Sequence, residues 1–222
     1  PTVNGRAVNN PGVKKIDANS STCPTVTISG DTTWTNTTNP PTMTFDYGFG
    51  CVDMDGRTRS GQMIAAFSKP YDSLGCVITV TFNNFYSNGV KYEGTVTVTR
   101  LGLASYNTKV VGGKCTGNGW VVYYDCDRTF SMTAGANTPL DETDDVFTLT
   151  GTSSGTNRNG KHYTVTINSP ITKMATCKWL SSGSFSLTPD GLATRTVDYG
   201  NGSCDNKATF TVNGNTFEFT MN

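Results

Sequence analysis

The chain has little charge and no charged cluster of one sign. Only 15% of its 222 residues are Asp, Glu, Lys or Arg, and the formal net charge is +0. The basic patch by which proteins bind nucleic acid is missing, so we expect no nucleic-acid partner. No apolar stretch approaches the roughly 20 residues that span a bilayer, and the sequence therefore offers no membrane helix.

Groups that would carry catalysis are also scarce. The single histidine, His162, follows the Asn159-Gly160 turn, and we interpret it as an exposed strand residue rather than as the base of a catalytic triad. Glycoside hydrolysis needs only two carboxylates, but nothing singles out one pair among the 17 acidic residues. We predict no enzyme activity and no cofactor, with a carboxylate-dependent hydrolase of extracellular glycans as the alternative.

Alternation of apolar and polar residues with a period of two is abundant. Ile78, Val80 and Phe82, for example, share one face of a segment whose other face carries threonines. Such alternation is typical of antiparallel strands that have one solvated side. Asn213-Gly214, at two-residue spacing between two such segments, indicates a tight hairpin. No capped helical segment is found, so we predict an all-β fold, a long antiparallel meander that forms a sandwich or a partly open barrel.

An internal repeat links the two ends of the chain. Residues 45–51 resemble residues 197–204, and each copy ends in a cysteine that follows an earlier cysteine by 28 or 27 positions. Two copies of one spacing predict two equivalent disulfides, Cys23–Cys51 and Cys177–Cys204. We predict a flexible linker over residues 1–21 and one all-β domain over 22–222, with repeated modules at about 23–67 and 177–222.

Three of the seven cysteines lie outside the repeat. Cys115 and Cys126 flank a glycine-containing segment, and their short separation predicts a third disulfide between them. Cys76 is in phase with the apolar face of its strand, so we predict a buried free thiol; a Cys51–Cys76 bridge is the rival pairing. We favour oxidised cysteine pairs over a set of reduced buried thiols. Because such pairs form in oxidising compartments, we expect the protein to lie outside the cytoplasm.

Several segments from Cys23 onward resemble a family of uncharacterised secreted lipoproteins of the Bacteroidetes. The similarity is carried by the Asp-Tyr-Gly-x-Gly-Cys segment and by residues 55–61, 78–86, 93–99, 138–147, 177–179 and 195–200. The resemblance implies export, with attachment to the cell envelope through an acylated cysteine upstream of Pro1. It implies no known activity and supplies no catalytic residues. We therefore expect a lipid-anchored protein of the cell envelope or cell surface, and a monomer.

Two groups of residues are candidates for binding. Trp120, Tyr123 and Tyr124 lie near one predicted hairpin tip. If their rings are exposed, we expect them to bind a ligand; if they are buried, they only pack in the core. Asp53 and Asp55 precede a glycine turn as calcium-binding carboxylates do, although pairing with Arg57 or Arg59 is the better explanation. The predicted function is a non-catalytic binding or structural module, with a glycan or a surface protein as its ligand.

Within the repeat, Asp46 and Asp198 have a different expected role. Each lies two residues before a glycine. At the start of a tight turn, an aspartate carboxylate characteristically accepts backbone N–H hydrogen bonds. We expect both to hold these turns.

Overall fold

Fourteen antiparallel strands form one sheet in the computed structural model of the chain. The structure describes residues 2–3, 6–7, 23–36, 38–138 and 140–222. These residues contain no helix, and so none that is long and apolar enough to cross a membrane. Two short strands, β1 (Thr2–Val3) and β2 (Arg6–Ala7), pair with each other apart from the main sheet. The rest of the predicted linker over residues 1–21 lies outside the described residues.

The strands of the main sheet follow one another in space almost as they do along the chain. Their bounds are β3 (Thr25–Ser29), β4 (Thr42–Asp46), β5 (Cys51–Val52), β6 (Thr58–Phe67), β7 (Val77–Ser87), β8 (Val90–Gly102), β9 (Ser105–Gly117), β10 (Trp120–Ala134), β11 (Val146–Thr156), β12 (His162–Met174), β13 (Ser182–Pro189), β14 (Arg195–Asn201), β15 (Lys207–Val212) and β16 (Asn215–Thr220). Each strand pairs with the next, except that β4 pairs with β6 and the short β5 pairs only with β6. The predicted meander is confirmed. Its sheet is open rather than closed into a barrel, with β3 and β16 as its edges.

Register between neighbouring strands sorts the side chains onto two chemically different faces. One row of paired residues crosses the whole sheet and carries hydroxyls, with Ala66, Lys109 and Asp127 as its exceptions. The row is Ser29, Thr42, Ala66, Thr79, Thr97, Lys109, Asp127, Thr152, Thr166, Ser186, Thr196, Thr211 and Thr216. We call the surface that contains it the hydroxyl face.

The opposite surface, the apolar face, has mostly aliphatic side chains in its neighbouring row, with Cys126, Ser153, Arg195 and Asn215 as the exceptions. The row next to the hydroxyl row along each strand is Ile28, Met43, Ala65, Val80, Val96, Val110, Cys126, Ser153, Val165, Leu187, Arg195, Val212 and Asn215. A slip of one residue in any hairpin would exchange the two faces beyond it, so the alternation itself specifies the register.

Few side chains are buried, and two aromatic residues near the ends of strands are among them. Tyr47 and Phe85 are 6% and 5% exposed, and their ring centroids lie 5.6 Å apart. Phe82 and Tyr92 contact the same Phe85 ring. This aromatic cluster anchors the loop that follows β4 to strands β7 and β8.

Two disulfides close the repeated hairpins as predicted. Cys23 bonds Cys51 across the β3–β4 hairpin, and Cys177 bonds Cys204 across the β13–β14 hairpin. The two copies also share a turn: Asp46 Oδ1 accepts a hydrogen bond from the Gly48 N–H, and Asp198 Oδ1 accepts one from the Gly200 N–H, at 2.8 and 2.7 Å. The predicted role of both aspartates is confirmed.

The predicted bridge between Cys115 and Cys126 is wrong, because both thiols are free. Cys115 pairs with Val122 across the β9–β10 hairpin, whereas Cys126 pairs with Val110. The two cysteines are therefore offset by four positions, about 13 Å along the strand. A disulfide requires α-carbons within about 7 Å. Cys76 is free and 1% exposed, as predicted, and the rival Cys51–Cys76 pairing is not formed.

Replacing Cys177 and Cys204 together with serine should lower the free energy of unfolding by about 3–4 kcal/mol, because a closed loop of this length restricts the unfolded chain. Urea unfolding followed by circular dichroism measures the change, with Cys115→Ser as the control that removes no crosslink. Peptide mapping under non-reducing conditions should find the two bridges; a peptide joining Cys115 to Cys126 would contradict the register of β9 and β10.

Candidate functional site

The three aromatic residues singled out in the sequence do not form one platform. Tyr123 points to the hydroxyl face and is 50% exposed, whereas Trp120 and Tyr124 point to the apolar face. The guanidinium carbon of Arg158 lies 4.2 Å from the Trp120 ring centroid and covers one face of that ring. Tyr124 is half-buried, with Arg128 against its ring. Tyr123 is therefore the member of this group that offers a ring to a ligand.

Asp53 and Asp55 are both held by Arg59. The Arg59 guanidinium donates two hydrogen bonds to the Asp55 carboxylate, at 2.8 and 2.7 Å, and a third to Asp53. These bonds hold the pKa of Asp55 at about 2, below its ordinary value of 3.8. No cluster of three metal-binding side chains occurs among the described residues. The arrangement favours the arginine pairing over a calcium loop.

A shallow, open groove of about 490 Å³ crosses the hydroxyl face over β9, β10, β11 and β12. Two neighbouring rows of side chains form its walls, because residues two apart on a strand point to the same face. One wall consists of Lys109, Asp127, Thr152 and Thr166, and the other of Val111, Asp125, Ser154 and Thr164. We call this the hydroxyl groove.

Two β-bulges shape the hydroxyl groove. At the first, between β9 and β10, the Gly112 N–H donates a hydrogen bond to Asp125 Oδ1 at 2.6 Å. At the second, between β11 and β12, Gly151 of β11 adopts a φ of +117°, and a Cβ there would lie 2.1 Å from the carbonyl oxygen of Asp127. Since no side chain fits in that space, the bend of the sheet under the groove depends on a glycine.

The two carboxylates of the groove are fixed in place and remain open to solvent. Asp127 Oδ1 accepts a hydrogen bond from Asn107 Nδ2 at 2.7 Å, and Lys109 Nζ lies 3.9 Å from its other oxygen. The Asp127 side chain is nonetheless 54% exposed. Asp125 is exposed and keeps one oxygen beyond its bond to Gly112. The groove thus presents oriented acceptors and one ammonium donor among hydroxyls.

Tyr123 stands beside this groove, one position beyond Asp125 on the same face of β10. Its own N–H donates to Thr156 Oγ1 at 3.2 Å, which ties this end of β10 to β11. Tyr123 lies between Lys114 and Thr156 in the next row along the strands. A half-exposed phenol ring therefore adjoins the hydroxyls and carboxylates of the groove wall.

One sequence pattern of a nucleophilic serine does not have the matching structure. Residues 151–155 have Gly-x-Ser-x-Gly spacing, but they lie within β11 rather than at a strand-to-helix turn. The central Ser153 is on the apolar face, 5% exposed, and accepts a hydrogen bond from Arg128 Nη2 at 2.9 Å. His162 is exposed at the start of β12, with its Nδ1 3.4 Å from Asp190.

The sequence carries only a weak signal for the hydroxyl groove. Asp125 and Asp127 alternate with Cys126, which places two carboxylates on one face of a strand, but many strands of soluble proteins do the same. The threonines of β11 and β12 are equally ordinary. These residues come together because β9, β10, β11 and β12 pair in order. The sequence of one strand does not predict that pairing.

Replacing Arg59 with glutamine should lower the melting temperature at neutral pH, because it frees both carboxylates of their donor. Since the pKa of Asp55 is lowered in the folded state, its stabilising contribution is present above about pH 4 and is lost as the pH falls through about 2. The difference between the wild type and Arg59→Gln should shrink over that range in calorimetry. Arg57→Gln, whose side chain is 62% exposed, is the matched control; an unchanged difference down to pH 2 would contradict the assignment.

Calcium should leave the melting temperature of the wild type unchanged, because a bound ion would have to displace Arg59 from both aspartates. Thermal unfolding with millimolar calcium chloride, and again with a chelator, tests this. A calcium-dependent rise of several degrees, lost in Asp55→Asn, would establish the calcium site instead.

Comparison with known proteins gives no match to this chain. No protein-family model matches it, and neither a curated protein nor a solved structure is significantly similar.

Proposed function

We propose that this protein is a non-catalytic module, acting outside the cytoplasm, that binds a glycan along the hydroxyl groove. The observation that carries the proposal is the groove itself, in which two parallel rows of hydroxyls and carboxylates adjoin the exposed ring of Tyr123. An elongated, open groove suits a stretch of chain better than it suits an enclosed small molecule.

The chemistry of the groove complements a polyhydroxylated ligand. Hydroxyls of Thr152, Ser154, Thr164 and Thr166 both donate and accept, so each adapts to either orientation of a sugar hydroxyl. Asp125 and Asp127 add charged acceptors, whose hydrogen bonds are stronger than those of neutral groups. A tyrosine ring supplies the flat apolar surface on which the C–H face of a sugar packs.

The exposure of both groove carboxylates supports binding rather than hydrolysis. Asp125 and Asp127 are two positions apart on one strand, about 7 Å, which is within the range of glycosidase pairs. A general acid for that reaction is kept protonated by an apolar pocket. Asp127 is 54% exposed and hydrogen-bonded to Asn107, and Asp125 is exposed as well. This environment favours two ionised carboxylates that accept hydrogen bonds.

The site of action is part of the same proposal. Two disulfides in the structure are compatible with an oxidising compartment outside the cytoplasm. Attachment to the cell envelope through an acylated cysteine is supported only by the resemblance to secreted lipoproteins. A glycan-binding module attached to the cell surface is consistent with the disulfides and with this resemblance.

Replacing Tyr123 with alanine should weaken glycan binding by about fivefold, since an aromatic contact of this kind contributes on the order of 1 kcal/mol. A glycan array identifies the ligand, and isothermal titration calorimetry with that oligosaccharide measures the change. Asp127→Asn should also weaken binding, because it removes a charged acceptor from the groove wall.

The matched control is Tyr124→Ala, the neighbouring tyrosine on the opposite face. It should leave the affinity unchanged provided that circular dichroism shows a folded protein. Equal losses in the Tyr123 and Tyr124 variants would contradict binding in the hydroxyl groove, and so would an array on which no glycan binds. Release of reducing ends from the bound oligosaccharide would establish the hydrolase instead.

A further inference from the structure

Among the described residues, β16 has a partner on one side only, β15, and this edge of the sheet carries exposed apolar side chains. Every residue from Asn215 to Thr220 is exposed. Phe217 and Phe219 project from its apolar face with 51% and 40% of their surfaces exposed. Its pairing with β15 runs without a bulge or register shift. A regular, apolar edge is a template for a further strand.

The alternation of hydrogen bonds shows which groups of β16 are free. A two-residue hairpin at Asn213-Gly214 closes on the hydrogen-bonded pair Val212 and Asn215, after which bonded and non-bonded pairs alternate. Phe217 therefore bonds to β15, whereas Glu218 directs its N–H and C=O outward. The Met221 N–H donates to the Asn206 carbonyl at 2.7 Å, as the same alternation requires.

The residues on either side of Glu218 read the same in both directions. The segment from Thr216 to Thr220 is Thr-Phe-Glu-Phe-Thr, with Glu218 at its centre. An antiparallel pair of such segments is related by a two-fold axis, so each residue meets its mirror-position counterpart. We propose that two copies of this chain pair antiparallel through β16, with the two-fold axis at Glu218, and so join their sheets into one.

This register satisfies both faces of the sheet at once. Phe217 of one copy lies opposite Phe219 of the other on the apolar face, which gathers four phenylalanines around the axis. Thr216 lies opposite Thr220 of the second copy on the hydroxyl face, and the outward N–H and C=O groups of both strands bond to each other. Because the axis is perpendicular to the sheet, the hydroxyl grooves of both copies face the same side.

Glu218 limits the strength of this pairing. It lies opposite Glu218 of the second copy, and like charges directly opposite each other destabilise a pair of strands. A single charged residue on an edge strand is also a common device against uncontrolled association. The pairing is therefore weak and concentration-dependent in the wild type, whereas the sequence led us to expect a monomer.

The opposite edge offers a poorer match. On β3 a single large apolar residue, Ile28, is exposed, at 56%. Its sequence, Thr-Val-Thr-Ile-Ser, is not symmetric. β3 and β16 also run parallel to each other across the meander, so joining the two edges head to tail would form a parallel pair.

Two substitutions of Glu218 should change dimerisation in opposite directions. Glu218→Gln removes the repulsion and should tighten dimerisation about fivefold. Glu218→Pro removes an outward N–H that β15 does not use and should abolish the dimer. Sedimentation velocity over a range of protein concentrations measures both, and Ile28→Pro on the opposite edge is the matched control, expected to dimerise as the wild type does.

Crosslinking tests the register itself. Glu218→Cys places two thiols across a hydrogen-bonded pair, with α-carbons about 5.5 Å apart, and should form a covalent dimer under mild oxidation. Thr216→Cys faces a threonine of the second copy and should not. Monomers at every concentration for both the wild type and Glu218→Gln would overturn the proposal. So would a dimer that is lost in Ile28→Pro, or crosslinking by the two cysteine variants to the same extent.

Discussion

The hydrogen-bonded register between neighbouring strands is the constraint on which the rest of the structure depends. Each strand of the main sheet contacts chiefly the strands beside it, so it takes its position from the strand before it. Register decides that Thr79 lines up with Thr97 and that Val80 lines up with Val96. The two faces of the molecule are consequences of that single alignment, continued from hairpin to hairpin.

Departures from regular pairing are placed where the sheet has to bend or end. Bulges at Gly112 and Gly151 curve the sheet beneath the hydroxyl groove, and Gly151 allows the backbone of β10 to approach. Toward each end of the sheet, a disulfide and an Asp-Tyr-Gly turn fix a hairpin. The middle of the sheet is thus shaped by local backbone geometry, and its ends are held by covalent bonds.

Recognition and association would use different parts of this sheet. The hydroxyl groove lies on β9 to β12, whereas β16 is the terminal edge, several strands away. Pairing through β16 would leave both grooves open on one side of a larger sheet. Two weak sites held on one rigid surface bind a repetitive ligand more tightly than either alone. A glycan chain is a ligand of that kind.

Local sequence determined the all-β class, the hairpin at Asn213-Gly214, the paired cysteines of the repeat and the turns at Asp46 and Asp198, because each depends on residues close together in the chain or on a repeated spacing. It did not determine which cysteines or aromatic rings meet across strands. Cys115 and Cys126 are close in sequence but four positions out of register, and Tyr123 and Tyr124 are adjacent but lie on opposite faces. Only the tertiary structure brought Asp125 and Asp127 beside the hydroxyls of β11 and β12. The reason is physical: alternation fixes the face of each residue within its strand, whereas its neighbours across the sheet depend on the register and bulges of every hairpin between them.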